Sequence, residues 1–236
     1  MILETLAWTT LFYTASFTIP CLFSRLQATY KPRVFDNHNI LADDEEQNAK
    51  DRTIGQLVAT SAQTLIVAAA FIDLFVPLPL NFLPSLVIGF YAHDMIHLYI
   101  KPYGQALQMY LIHHAATIAL VTYFYLMESP YTKEVDIYYI LLEASSVSIN
   151  TVNLVKYFYP LSDRLDSLIY KNMVFYGLTR VVLYPINLVW ILYRIVNSDR
   201  YLINVPPLLL LIALYCVCVQ WFMAMVSKYN RSRTID

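Results

Sequence analysis

Two adjacent histidines, His113 and His114, interrupt an otherwise apolar run in the middle of the chain. Neutral imidazole can take up a proton as a general base or accept an acyl group, so the pair is a candidate for catalysis. Neighbouring residues on a helix point about 100° apart, and the two rings cannot aim squarely at one atom. One is expected to act and the other to support it. A second group, His93, Asp94 and His97, places two histidines four residues apart on one helical face. Such clustering invites a metal reading, but the fifth histidine, His38, falls in a polar interval and the chain offers too few ligands for a di-iron centre. No metal is expected. Cys21, Cys216 and Cys218 lie in apolar segments without zinc-like spacing and read as small apolar fillers.

Other polar residues are spaced as faces. Asp136, Tyr139, Glu143, Ser146, Asn150 and Asn153 follow intervals of three and four, which puts all six on one side of a helix. Tyr176, Arg180, Tyr184 and Asn187 form a shorter stripe of the same kind. Two such stripes predict a shared polar interior. The structural alternative is that these groups hydrogen-bond helix to helix. At about 1.5 Å of rise per residue, His113 and His114 lie about 10 to 12 Å from one end of their segment and Asn150 about 14 Å, with Arg180 at about 20 Å and Glu143 at about 24 Å. Glu143 and Arg180 are therefore expected to meet as a structural ion pair, while His93, His97 and Asn150 fall near the depth of the histidine pair and, with Ser146 on the stripe of Asn150, are candidates for substrate binding.

The elements that must hold these residues are membrane helices. Of 236 residues 58% are hydrophobic and only 14% charged, and apolar stretches of about 20 residues recur along nearly the whole chain. Seven spans are predicted, at about 2–23, 54–76, 82–100, 106–127, 135–159, 167–196 and 201–226. The fold class is thus an all-α membrane protein. Residues 1–53 form a first transmembrane helix and a polar cytosolic loop, 54–228 a six-helix domain, and 229–236 a short cytosolic tail. Glu4 stands where a signal peptide would carry a basic region, so the first segment is read as a span. The loop from Ser24 to Thr53, with the run Asp43, Asp44, Glu45 and Glu46, reads as solvated chain or a short surface helix. Lys and Arg concentrate in alternate loops: Arg25, Lys31, Arg33, Lys50, Arg52, Lys101, Lys156, Arg164, Lys171, Lys228, Arg231 and Arg233 fall on one side and only Lys133, Arg194 and Arg200 on the other. The positive-inside bias then predicts a lumenal N-terminus and a cytosolic C-terminus. A net charge of -1 offers no footprint for nucleic acid.

The segment Tyr110-Leu-Ile-His-His-Ala-Ala-Thr117, followed by Leu141-Leu-Glu-Ala-Ser-Ser146, Arg180 and the closing Gln220-Trp-Phe222 with Lys228, resembles the TLC-domain family of endoplasmic reticulum lipid proteins. The resemblance covers about residues 50 to 230. It implies six helices around a central lipid-accessible cavity, with the first helix alongside. The family includes ceramide synthases, which join an acyl-CoA to a sphingoid amine, and members without that activity. Where the synthases carry two aspartates three residues apart, this chain has Asp136 and Tyr139. The short histidine-to-glutamate spacing and the Leu-Leu-Glu-Ala-Ser-Ser segment are more similar to the small TLC-domain proteins.

Two functions stay open. In one, His113 or His114 serves as base or acyl acceptor in moving an acyl group from acyl-CoA to a lipid amine or hydroxyl, with Ser146 and Asn150 orienting the reacting groups and Lys101 approaching a coenzyme A phosphate. No cofactor is expected, and acyl-CoA would be a co-substrate. In the other, a non-catalytic protein binds membrane lipids and regulates their composition. A role as cargo or translocon accessory rests on the resemblance alone.

Overall fold

The computed structural model describes residues 2–12, 14–15, 43–79, 81–100, 107–126, 132–158, 164–197 and 201–233. Among them the chain is helical almost throughout, as a backbone without water to bond must be. The helices are α1 (Ile2–Phe12), α2 (Asp43–Phe75), α3 (Phe82–Ile100), α4 (Leu107–Leu126), α5 (Thr132–Phe158), α6 (Leu165–Tyr176), which continues through a π-helical segment, Gly177–Leu183, into α7 (Tyr184–Val196), and α8 (Tyr201–Arg233). Counting α6 to α7 as one rod gives the seven expected. Residues 16–42, with His38, and Lys101 lie outside the described residues.

One boundary differs from expectation. The acidic run from Asp43 to Glu46 is the first turn of α2, continuous with the membrane segment, rather than a separate loop or surface helix. Carboxylates at a helix N-terminus are favoured by the backbone dipole, which explains why helix extends into so polar a sequence. The other end of α2 is set by Pro77 and Pro79, since the residue before a proline is driven out of helical geometry.

By length and composition three stretches are apolar enough to cross a membrane, Thr53–Phe75, Leu165–Val196 and Val205–Arg231. Of the others, α1 and α4 are apolar but shorter among the described residues, and α3 and α5 are diluted by what they carry. α3 holds His93, Asp94 and His97, and α5 holds Lys133, Glu134, Asp136, Glu143 and Lys156. These are the helices with polar faces turned inward, as the buried Asp136, Tyr139 and Glu143 on α5 show.

The apolar core runs between the rods, through Ile66 of α2, Leu86, Val87 and Phe90 of α3, Val121 of α4, Tyr184 and Ile191 of α7 and Leu211 of α8. Outward faces remain apolar too: Ile186, Val189, Trp190, Tyr193 and Val196 of α7 are all exposed, as a lipid-facing surface would be. α5 packs along α2 more extensively than any other pair of helices meets. α1 lies against α3, where Ser85 Oγ donates to Glu4 Oε2 at 3.3 Å and Thr9 Oγ1 to the Gly89 carbonyl at 3.4 Å. A Cβ added at Gly89 would stand 2.5 Å from Cβ of Trp8, so the approach of these helices requires glycine.

The π-helical segment has a cause in the sequence. Pro185 has no N–H to return to the helix behind it, and its ring crowds the preceding turn. Widening that turn relieves the clash. The N–H of Tyr184 then reaches back five residues to the Thr179 carbonyl, and the carbonyl of Val181 receives the hydroxyl of Tyr215 from α8 at 3.4 Å.

Candidate functional site

The histidine pair occupies the early turns of α4, both rings buried. His114 Nε2 lies 2.6 Å from Asp94 Oδ2 on α3. An ionised carboxylate only accepts, so the hydrogen is assigned to Nε2 and the lone pair to Nδ1. Nδ1 of His114 and Nδ1 of His113 are buried without a hydrogen-bond partner among the described residues. The Asp94 side chain is 24% exposed against 7% for that of His114, so the dyad opens at its carboxylate end.

Aromatic rings fix the imidazoles. Tyr91 packs edge-on against His114 at 4.8 Å between centroids, and Trp221 of α8 packs edge-on against His113 at 5.4 Å. Tyr110, one turn before His114 on α4, leans on Trp221 at 5.3 Å. Tyr91 is itself anchored, because its hydroxyl donates to Oε1 of Glu143. Beyond this ring a cavity of about 20 Å³, lined by Tyr91, Thr117, Leu142, Glu143, Leu211 and Leu214 among others, lies between α3, α4, α5 and α8. It has room for about one water.

Several expectations are corrected here. Glu143 and Arg180 are both buried, but neither is the other's partner: among the described residues the ion pairs join His114 to Asp94, Lys133 to Asp73 and Asp136, and Arg194 to Glu134. Arg180 instead donates from Nε to Ser145 Oγ at 2.6 Å, and from Nη2 to the Leu142 carbonyl at 2.6 Å and to Ser146 Oγ at 2.5 Å. Its third nitrogen, Nη1, lies 3.8 Å from Cys218 Sγ, and its guanidinium rests over the Tyr176 ring at 4.9 Å. Cys218 is therefore a polar contact as well as an apolar filler. Arg180 lies level with Glu143 along α5, bonded to residues before and after it in sequence, but the two side chains turn to different neighbours.

The substrate-binding candidates also find places. Ser146 is held by Arg180, and Asn150 donates to Gln63 of α2 at 3.0 Å. His93 and His97 stack on each other at 6.1 Å, and His93 faces Phe12 of α1 rather than the histidines of α4. The face of α3 that meets His114 carries Tyr91 and Asp94. Sequence reasoning missed Asp94 and Tyr91 as members of the site. Their spacing of three residues put them on one face, but nothing in it said which face meets α4.

A comparison with curated proteins finds no match. A family model described as the TLC domain matches residues 73–227, which takes in the end of α2 and all of α3 to α7 with most of α8, and so every residue of the site. A match over more than half of the sequence, on an all-helical frame with an internal polar site, shows that the chain belongs to the TLC-domain family of lipid-related membrane proteins.

Proposed function

We propose that this protein transfers a fatty acyl group from acyl-CoA to a lipid amine or hydroxyl, with His114 as general base and Asp94 as its orienting carboxylate. The contact of 2.6 Å between His114 Nε2 and Asp94 Oδ2 carries the reading, because it leaves on Nδ1 a buried imidazole lone pair with no hydrogen-bond partner among the described residues. The acceptor gives its N–H or O–H proton to Nδ1 and attacks the thioester carbonyl carbon. The carbon–sulfur bond then breaks, and the coenzyme A thiolate leaves with the proton returned by the imidazolium. His113 supports by filling the space between His114 and Trp221. The excess of Lys and Arg on one side supports placing the histidine end of the bundle at the cytosolic face of the endoplasmic reticulum, where acyl-CoA is present, with a lumenal N-terminus and a cytosolic C-terminus.

The test is acyl transfer by the purified full chain in lipid nanodiscs, given an acyl-CoA and lipid acceptors bearing an amine or a hydroxyl. Product should form with the native protein and fall below detection with His114→Ala, while Asp94→Asn retains the fold and loses most of the rate. Equal turnover in all three would refute the role.

One observation favours a second reading. Asp136, the aspartate that the resemblance to ceramide synthases keeps, lies near the opposite end of the bundle, within reach of Lys133 rather than of the histidines. A non-catalytic protein that binds membrane lipids fits that placement. It predicts lipid copurifying with the protein and no product from acyl-CoA.

A further inference from the structure

The rim at which α2 ends and α5 begins, opposite the histidines, holds a second group of ionisable side chains that acyl transfer does not use. Lys133 of α5 donates to the backbone carbonyl of Asp73 and lies 3.1 Å from its Oδ2 and 3.9 Å from Oδ2 of Asp136. Asp73 Oδ1 accepts the N–H of Leu78 at 2.6 Å. The carboxyl groups of Asp73 and Asp136 thus converge on one ammonium, Asp136 is 4% exposed, and its Oδ2 has no hydrogen-bond partner among the described residues. The next residue turns the other way: Glu134 pairs with Arg194 of α7, and its carbonyl receives Asn187 Nδ2 at 3.1 Å. Lys133 and Glu134 thus tie the start of α5 to α2 on one side and to α7 on the other.

The two ties differ in charge balance. Glu134 and Arg194 cancel, whereas Asp73 and Asp136 converge on one ammonium. With both carboxyls ionised the group would keep a surplus negative charge, part of it on a buried side chain, and two like charges in contact oppose each other. One hydrogen between the carboxyls removes the surplus and turns repulsion into a hydrogen bond. We propose that Asp73 and Asp136 hold a single proton between them, and that this proton, exchangeable with the compartment at that rim, fastens α2 to α5. The charged groups facing Asp136 are Asp73 from α2 and, from its own helix, Lys133 and Glu134, the last engaged with Arg194 of α7. Lys133 is about half exposed, which gives solvent a route to the pair.

The sign follows directly. The contact is complete when the pair is protonated and is lost as pH rises and the second carboxyl ionises, so the α2 to α5 junction is a fastening that loosens toward alkaline pH. The measurement is thermal unfolding of the full chain in nanodiscs between about pH 5 and about pH 9. The native midpoint should fall as pH rises. Asp136→Asn and Asp73→Asn, each keeping a hydrogen-bonding amide that cannot ionise, should flatten that dependence. A flat native profile, or an unchanged slope in both variants, overturns the proposal. Should neither variant fold, the infrared carbonyl band of a protonated carboxyl in the native protein decides: its loss on raising pH supports the shared proton, and its absence at every pH refutes it. Neither readout depends on acyl transfer.

Discussion

Arg180 and His114 are both buried ionisable residues on helices with apolar outer faces, and they are treated in opposite ways. Every guanidinium nitrogen of Arg180 has a contact, drawn from three helical elements: Ser145, Ser146 and the Leu142 carbonyl on α5, Cys218 on α8, and the Tyr176 ring at the end of α6. His114 has one strong partner, Asp94, and a second nitrogen without any among the described residues. A buried polar group that is satisfied on all sides holds structure together, and one left half-satisfied costs stability that only a ligand or a reaction step can recover. The difference marks Arg180 as part of the frame and leaves His114 free for the role proposed above, although both are equally conspicuous as ionisable residues in an apolar sequence.

That contrast can be broken most forcefully at Arg180. Arg180→Met takes the guanidinium donor from Ser145 and Ser146 and one of its donors from the Leu142 carbonyl, which keeps the two serine hydroxyls, and should lower unfolding stability by about 3 kcal/mol or more, read as loss of a cooperative melt in detergent. His114→Ala should do the reverse. Its melting temperature stays close to native, while acyl transfer falls by about 10²- to 10⁴-fold, the usual worth of a general base. A variant that melts early and yet turns over normally would exchange the two assignments. The α1 contact comes next: Gly89→Leu must displace Trp8 and should cost about 1 to 3 kcal/mol, with protease cleavage near α1 faster than in the native protein. The smallest effect belongs to a pair that only links helices. A double-mutant cycle on Asn150 and Gln63 should return a coupling of about 0.6 kcal/mol and leave turnover unchanged.

The sequence makes faces legible but not the neighbours of those faces. Apolar length gave seven helices, and intervals of three and four gave the inward stripe of α5, where Asp136, Tyr139 and Glu143 are buried as expected. Which helix each stripe residue meets depends on rotation and tilt of separate rods, and no periodicity within one rod carries that. So Glu143 was paired with Arg180 on depth alone, when Tyr91 of α3 stands nearer, and His93 was preferred to Asp94 although the two differ by one position and therefore by about 100° around α3. The π-helical segment is an intermediate case. Pro185 is visible, but whether a helix answers a proline by kinking, ending or widening is decided by the packing around it.

That widened turn also constrains how the gene can change. The π-helical segment accommodates an additional residue between α6 and α7, so the side chains after it are set by counting across the segment rather than by the α-helical repeat. A single-codon deletion within Gly177 to Leu183 would let an ordinary helix close the segment and keep the residues after it on their present faces, whereas a deletion within α7 itself would rotate everything downstream of it by about 100°. A deletion just after Tyr184 would swing Asn187 and Ile191 from the core toward lipid, and Trp190 and Tyr193 out of it. Substitutions can be absorbed along α6 and α7 one at a time, but a change of length needs a turn that can widen or close, and a one-residue deletion should be tolerated between Tyr176 and Tyr184 before it is tolerated elsewhere along these helices.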